Sequence, residues 1–202
     1  AETDEEAIAM ARKVVAMLPA NNMDEAVDLP RDDMNRELPA LNAIEKLDDV
    51  RDLLRGVADL GDIVELGEEF APSMVTALGK IGGTTVGFIA NQAAKDEGRL
   101  TVYGCKKAAR FAAFCDCFSI PIITVVDSMG MKISTAPQGE LSRAGAQLLF
   151  ALSEATTPRV ALVVGQAIGM SYASLASRAV SDMVYAWPGS VFSPVSAQIA
   201  AQ

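Results

Sequence analysis

The segment 158–177, PRVALVVGQAIGMSYASLAS, limits most narrowly what this chain can fold into. Residues 160–164 form a continuous apolar run, which predicts a strand buried on both faces, and Gly165 is expected to end that strand. The small residues after Gly169 predict a tightly packed helix. A buried strand, a glycine-containing turn and a helix start gather free backbone N–H groups that can hold negative charge.

The overall composition excludes several classes of function. The chain has no histidine, so chemistry at this turn is expected to rely on backbone dipoles rather than on an imidazole base. A net charge of −9 and the lack of a Lys/Arg cluster argue against nucleic-acid binding. No apolar run reaches the roughly 18–20 residues of a membrane span, so no direct membrane insertion is expected. The hydrophobic content of 50% instead predicts a large core or a homo-oligomer.

The cysteines indicate neither a disulfide framework nor a metal site. Cys105, Cys115 and Cys117 are odd in number and lack CxxC spacing, and without histidine they cannot complete a zinc site. We expect buried free thiols, with Cys115 and Cys117 on different sides of one helix. No secretory signal peptide is visible, which favours a cytoplasmic location.

The order of the elements predicts an α/β fold. Thr3 and Glu6 form a capping box before a helix, and residues 20–47 read as an extended connector. Gly82-Gly83 predicts a hairpin turn, and from residue 84 onward strands alternate with helices, which predicts a parallel sheet. A further helix is expected to start near residue 193. We therefore divide the chain into an N-terminal helix and connector, 1–47, and an α/β domain, 48–202, which we expect to be truncated at its C-terminus.

Two catalytic alternatives are tested by the residues around the turn. Gly169-Met-Ser171-Tyr-Ala173 lacks the last glycine of a G-x-S-x-G nucleophile elbow, and without histidine no Ser-His-Asp triad can form. Asp127 ends the strand 121–126, a common place for a functional carboxylate, or it hydrogen-bonds the backbone of its own turn. Nearby methionines (Met129, Met131 and Met170) either line an apolar slot or fill the core.

Several motifs resemble one known family. They are AARFAAFCD at 108–116, IPIITVVD at 120–127, SMGM at 128–131, GMSY at 169–172 and YAWP at 185–188. Together they resemble the C-terminal half of the carboxyltransferase component of biotin-dependent acyl-CoA carboxylases and decarboxylases, such as the propionyl-CoA carboxylase β subunit. The resemblance extends over nearly the whole chain. It implies a crotonase-like (ClpP/crotonase) ββα superhelix for residues 48–202.

The resemblance also implies a reaction and its partners. The reaction is carboxyl transfer between carboxybiotin and an acyl-CoA of the propionyl, acetyl, methylmalonyl or glutaconyl class, and this chain would supply the biotin-side half of the site. The implied cofactor is biotin, carried on a biotin carboxyl carrier protein, and the substrate is a CoA thioester. The other implied partners are an N-terminal carboxyltransferase half and further copies of the chain.

The resemblance assigns roles to seven residues. The backbone N–H groups of Met170 and Ser171 would form an oxyanion hole for the ureido oxygen of biotin. The implied binding residues are Gly130, Met131, Gly169, Tyr172 and Ala173, and the position of Ala173 bears on acyl-chain selectivity in the family.

This chain also departs from the family pattern. It has Gly-Met-Ser-Tyr where members usually have Gly-Gly-Ala-Tyr, Met129-Gly-Met in place of Pro-Gly-Phe, and Val195-Ser196 in place of a Met-Gly pair. The Met170 departure supports an alternative, a catalytically silent paralogue that acts as a scaffold or acyl-CoA-binding module. A third possibility, an enoyl-CoA hydratase-like enzyme, needs paired acidic residues, for which only Asp127 is a candidate.

Overall fold

The N-terminal helix and the connector lie against the edge of a sheet. The computed structural model describes residues 3–21, 23–30, 32–37, 47–132 and 138–195. Helix α1 (Asp4–Val15) begins as the capping box predicts, since Thr3 Oγ1 accepts a hydrogen bond from the Glu6 N–H at 3.2 Å. The prediction of an extended connector is only partly right, because its described residues include turns at 23 and 34–35, and Val27 bridges to Thr84 at the start of a strand. Residues 38–46 of the predicted connector lie outside the described residues.

The first strands form an antiparallel meander, as the Gly-Gly signal predicts. Strands β1 (Ile63–Glu65), β2 (Met74–Ile81) and β3 (Thr84–Asn91) pair in this order. Gly82 and Gly83 form the tight turn with φ of +58° and +82°, which is the backbone that a two-residue hairpin requires. Helix α2 (Val50–Val57) precedes them and is capped by Asp49, whose Oδ1 accepts from the Arg51 N–H.

The second half is parallel, which confirms the alternation predicted from residue 84. Strands β4 (Ile122–Ser128), β5 (Arg159–Ile168) and β6 (Met183–Ala186) continue the sheet from β3. The connecting helices are α3 (Val102–Cys117), α4 (Gln138–Glu154) and α5 (Met170–Leu175). A short strand β7 (Val191–Ser193) pairs with β5. The helix predicted from residue 193 is therefore wrong at its first residue, and residues 196–202 lie outside the described residues.

The two faces of the sheet are covered unequally. Helices α3 and α4 pack on one face and form the larger core, with fully buried Leu78, Ile122 and Leu148 among its members. On the other face α2 covers mainly β2 and β3. The prediction that β5 is buried on both faces is therefore wrong: Ala161 and Val163 are buried, whereas residues 160, 162 and 164 on the opposite face are half-buried.

Helix α3 separates its cysteines as expected. Cys105 and Cys115 are buried, and burial raises the pKa of their thiols to about 11 and about 12, with the charge of Asp116 adding to the rise at Cys115. Cys117 is exposed, so the prediction that the thiols are buried is wrong for this residue. Two residues correspond to about 200° around a helix, which turns Cys117 away from the core.

Neither a membrane span nor a metal cluster occurs in the described residues. Within those ranges no helix has both the length and the apolar character needed to cross a bilayer. The same residues contain no group of three Cys, Asp or Glu side chains placed to hold a metal ion.

Candidate active-site turn at the end of strand β5

A bulge next to Asp127 marks where β5 approaches the site. The β4–β5 register runs regularly to Val126, which lies opposite Val163, and then jumps, so that Ser128 lies opposite Ala167. Asp127 alone thus faces three residues of β5, and its Oδ1 accepts a hydrogen bond from the Gln166 N–H at 2.9 Å. The Asp127 carboxylate therefore accepts a hydrogen bond from the neighbouring strand and not from the backbone of its own turn. Among the described residues it also forms no pair with a second acidic side chain, which an enoyl-CoA hydratase-like site would need.

Gly165 does not end β5, contrary to the prediction. The strand continues through the bulge to Ile168. Gly165 is required here because a Cβ at this position would collide with the Asp127 carboxylate, lying 2.7 Å from Oδ2 and closer still to Oδ1. The sequence predicted that this glycine ends the strand, whereas its physical role is to leave room for a side chain from the adjacent strand.

The turn after β5 presents the start of α5. Gly169 has φ +56° and ψ −121°, a conformation that favours glycine, and its N–H donates to Ser193 O on β7 at 2.8 Å. The Ala173 N–H donates to Gly169 O, so the N–H groups of residues 170–172 precede the first i−4 bond of the helix. Met170 is the first helical residue and is not among the positive-φ positions, so its side chain creates no backbone strain.

The loop after β4 lies beside this turn. Gly130 has φ +97°, and a Cβ there would lie 3.3 Å from Ile168 O, which makes the approach of the two segments dependent on glycine. The side chains of Met131 and Met170 converge on Gly145 of α4, where a Cβ would be 3.4 and 3.2 Å from their terminal methyl groups. The structure thus brings together two of the three predicted methionines.

Two serines connect the loop to the turn. The Ser171 hydroxyl is fully buried and donates to Ile168 O at 2.7 Å, with Ser128 O at 3.4 Å. The Gly130 N–H in turn donates to Ser128 Oγ at 3.2 Å. Since its hydroxyl is buried and already engaged, Ser171 has no access to a substrate as a nucleophile, in agreement with the missing triad.

The remaining predicted residues flank the helix start. Tyr172 is 39% exposed, and its ring meets that of Phe192 edge-on at a centroid distance of 5.8 Å. Ala173 follows on α5 and is half-buried. The site segments 130–131 and 169–173 contain no ionisable side chain other than the Tyr172 phenol, and Lys132 beside them is paired with Asp96 at 2.7 Å.

Sequence reasoning missed four residues that shape this region. They are Gly98, Ser128, Gly145 and Gly165. Gly98 is the most constrained, because it has φ +63° and a Cβ there would clash with Asp127 O. Only the positions of the glycines near strand ends gave a signal, and that signal does not identify the partner that each glycine accommodates.

Comparison with known proteins places this geometry in a family. The model of the carboxyl transferase domain matches residues 1–202. The methylmalonyl-CoA carboxyltransferase 12S subunit of Propionibacterium freudenreichii subsp. shermanii is 38% identical over all of this chain and 40% of its own length. The propionyl-CoA carboxylase beta chain of Roseobacter denitrificans is 37% identical over 93% of this chain and 38% of its own length. The chain thus spans about 40% of the length of these relatives.

A solved structure agrees with the sequence relatives. A transcarboxylase 12S crystal structure, described as a hexamer assembly with hydrolysed methylmalonyl-coenzyme A bound, superposes with a TM-score of 0.93 at 36% identity. It covers 100% of this chain and 41% of that chain. This similarity confirms the expected crotonase-like fold, and with the family match it shows that the chain belongs to the carboxyl transferase domain family.

Proposed function

We propose that this chain supplies the biotin-side half of a site that transfers a carboxyl group between carboxybiotin and an acyl-CoA. The observation that carries the proposal is the match of the carboxyl transferase domain over residues 1–202. Relatives named methylmalonyl-CoA carboxyltransferase and propionyl-CoA carboxylase support an acyl-CoA of this short-chain class. They do not select a direction, because the same site runs the transfer both ways.

The donors at the turn fit the oxygen of a ureido ring. The N–H groups of Met170 and Ser171 lie in the first turn of α5, where helical residues have no intrahelical acceptor. Two neutral donors suit a neutral carbonyl oxygen that gains negative charge during a reaction. Apolar side chains lie in the same region, since Met131 and Met170 converge on Gly145 and the ring of Tyr172 is 39% exposed, and these would suit a flat bicyclic group.

Each residue of the turn then has a defined task. Carboxybiotin supplies the carboxyl group and, after its loss, a basic ureido nitrogen. Met170 and Ser171 donate their N–H groups to the ureido oxygen, and each donor is worth about 3–4 kcal/mol in the transition state. Gly169, at positive φ, forms the turn that precedes these donors, and Met131 lies beside Met170. Tyr172 and Ala173 line the side from which the acyl chain approaches.

The site needs partners, because this chain covers only about 40% of its relatives. We propose that an N-terminal carboxyltransferase half binds the acyl-CoA and that a biotin carboxyl carrier protein delivers the biotin. The hexamer described for the transcarboxylase 12S structure supports a homo-oligomer. A cytoplasmic location is proposed with it, in keeping with the three free cysteines.

The direct test measures carboxyl transfer from malonyl-CoA or methylmalonyl-CoA to free biotin. The protein is assembled with its N-terminal half, and Met170→Pro is compared with Met170→Gly. Proline is tolerated at the first helical position and removes both the N–H and the methionine side chain. Glycine removes the side chain and keeps the N–H, so the difference between the two variants isolates the N–H. We expect Met170→Pro to lower kcat about 100-fold or more and Met170→Gly to retain activity.

The outcomes separate the two candidate functions. Equal activity in Met170→Pro and the parent, with both folded by circular dichroism, would remove Met170 from the oxyanion hole. No transfer by the parent with any acyl-CoA would refute the proposed reaction and favour the silent paralogue, a scaffold or acyl-CoA-binding module.

A further inference from the structure

We infer that Asp127 is a positioning residue for the turn, because its carboxylate holds the end of β5, from which α5 starts beside the Gly130 loop. The inference rests on the proposed function and adds a residue to it. Asp127 contacts neither of these N–H groups, so it acts through the backbone of β5 rather than on a substrate.

The bulge separates the part of β5 that belongs to the main sheet from the part that leads into the candidate site. Before it, at 160–163, β5 pairs with β6; after it, at 166–168, β5 pairs with β7 instead. Three residues of β5 must be accommodated opposite Asp127 alone. Gln166 is one of these three residues, and its N–H donates to Asp127 Oδ1. The carboxylate oxygen thus replaces the backbone acceptor that a regular β-ladder would offer.

Glycines on both sides hold Asp127 in place. Gly98 packs against the backbone carbonyl of Asp127, and Gly165 packs against its carboxylate, at distances that leave no room for a Cβ at either position. The Asn91 side chain closes the Gly98 side, since its Nδ2 donates to Gly98 O at 3.0 Å. Asp127 is half-buried, so these contacts, rather than complete enclosure, hold the carboxylate where it reaches β5.

A shift of Asp127 reaches both segments of the site. Forward along β5, the path runs from Gln166 to Gly169, whose N–H is fixed by Ser193 O. Along β4, the next residue is Ser128, whose hydroxyl oxygen accepts from the Gly130 N–H and whose carbonyl lies 3.4 Å from Ser171 Oγ. A displacement of about 1 Å at the donors is enough to cost on the order of 100-fold in rate.

The same molecule provides a matched control at the opposite end of the sheet. Like the half-buried Asp127, the buried Asp59 carboxylate accepts backbone N–H groups next to glycine, from Gly82 at 2.9 Å and Gly83 at 2.7 Å. It stabilises the hairpin turn and has no contact with the β5 turn. A purely structural role predicts the same consequences for both carboxylates, whereas a positioning role separates them.

The experiment measures kcat and KM of carboxyl transfer in the complete assembly, together with hydrogen exchange of the segment 166–171 by mass spectrometry. For Asp127→Ala we expect kcat to fall about 100-fold with KM for biotin within about twofold, and faster exchange of that segment. Asp127→Asn, which keeps an acceptor oxygen, is expected to recover at least about tenfold of the loss. Asp59→Ala is expected to lower the melting temperature while kcat and exchange at 166–171 stay at parent values.

A second variant guards against a folding defect. Gly165→Ala leaves Asp127 intact but displaces its carboxylate, and it must show the same loss of kcat and the same exchange. The inference is overturned if Asp127→Ala keeps the parent kcat or if Asp59→Ala loses kcat equally. If the parent itself transfers no carboxyl group, the proposed function fails, and the exchange data decide the inference alone: unchanged exchange at 166–171 in Asp127→Ala and Gly165→Ala refutes it.

Discussion

The two ends of the sheet solve a similar problem with similar chemistry but for different purposes. At the hairpin end, Asp59 binds the N–H groups of a Gly-Gly turn, and at the bulge end Asp127 binds the N–H of Gln166 beside Gly165. The hairpin turn connects two adjacent strands and would form from its own sequence. The bulge requires two segments 39 residues apart. Asp59 therefore stabilises a turn that forms locally, whereas the bulge depends on the Asp127 carboxylate for its shape.

The difference extends to what each end exposes. At the hairpin end the connector covers the turn, where the Asp28 N–H donates to Gly83 O at 2.9 Å. At the bulge end the chain leaves the N–H groups at the start of α5 without intrahelical acceptors. Disturbing the hairpin end should therefore cost stability alone, and disturbing the bulge end should cost stability and carboxyl transfer.

The largest effect is expected from alanine at the most crowded glycine of each end. In both Gly83→Ala and Gly98→Ala the added Cβ overlaps a backbone carbonyl, that of Asp28 or of Asp127, at positive φ. Overpacking and left-handed backbone strain together should lower the free energy of unfolding by about 4 kcal/mol in each variant. Urea titration measures this loss. Only Gly98→Ala should also reduce kcat per folded molecule.

Gly139 provides the control for that pair. It lies on α4 with no atom near its Cβ position, so Gly139→Ala should be neutral or slightly stabilising. Equal kcat in the folded fractions of Gly83→Ala and Gly98→Ala would break the distinction between the two ends.

Most of the fold was predictable because its signals are local. The Thr3 cap, the Gly-Gly turn and the alternation of strands and helices each depend on a few neighbouring residues, and the structure has all three. The prediction failed where a distant partner decides. Gly165 was expected to end β5, but its lack of a side chain accommodates Asp127 from β4.

Only the part of the site that lies within one continuous stretch of sequence was predictable. The strand–glycine–helix pattern placed the turn at 169–171, and the resemblance proposed its chemistry. Strand β7 was missed, although it binds the Gly169 N–H, because three residues at 191–193 carry too little periodicity to distinguish a strand from a helix start. The bulge, Ser128 and Gly98 depend on pairing between segments, which no single window of sequence contains.

An intermediate effect is expected at Lys107, which tests how far across the sheet the bulge end extends, because it binds Met74 at the end of β2 opposite the hairpin turn. Its ammonium is buried, which lowers its pKa, and it donates to Gly67 O, Phe70 O and Met74 O at 2.7–2.9 Å. Lys107→Met leaves these carbonyls unpaired and should lower the free energy of unfolding by about 3 kcal/mol with kcat unchanged. Thermal and urea unfolding measure the loss.

The adjacent lysine is the matched control. Lys106 is exposed and lies 3.5 Å from Glu140 Oε1, so Lys106→Met should change stability by at most about 0.5 kcal/mol. A loss of kcat in Lys107→Met would mean that the site also depends on the segment preceding β2, and the functional part of the bulge end would then extend beyond β4 and β5.

The effect that is smallest at neutral pH should be common to both ends, because α3 packs beneath the sheet. The pKa values of the buried Cys105 and Cys115 thiols are raised from 9.0 to about 11 and about 12. Unfolded thiols therefore lose their protons first as the pH rises above 9, and the free energy of unfolding falls. Each buried thiol contributes a slope of about 1.4 kcal/mol per pH unit, ending near its folded pKa, and nothing below the unfolded pKa.

Urea titrations across this alkaline range test the slope. Cys105→Ala and Cys115→Ala should each reduce it. The slope should also be the same in the Asp59→Ala and Asp127→Ala backgrounds, since neither carboxylate bonds α3. A slope that differs between these two backgrounds would show that one substitution exposes the buried thiols of α3. The two ends of the sheet would then differ in how they protect α3 as well as in function.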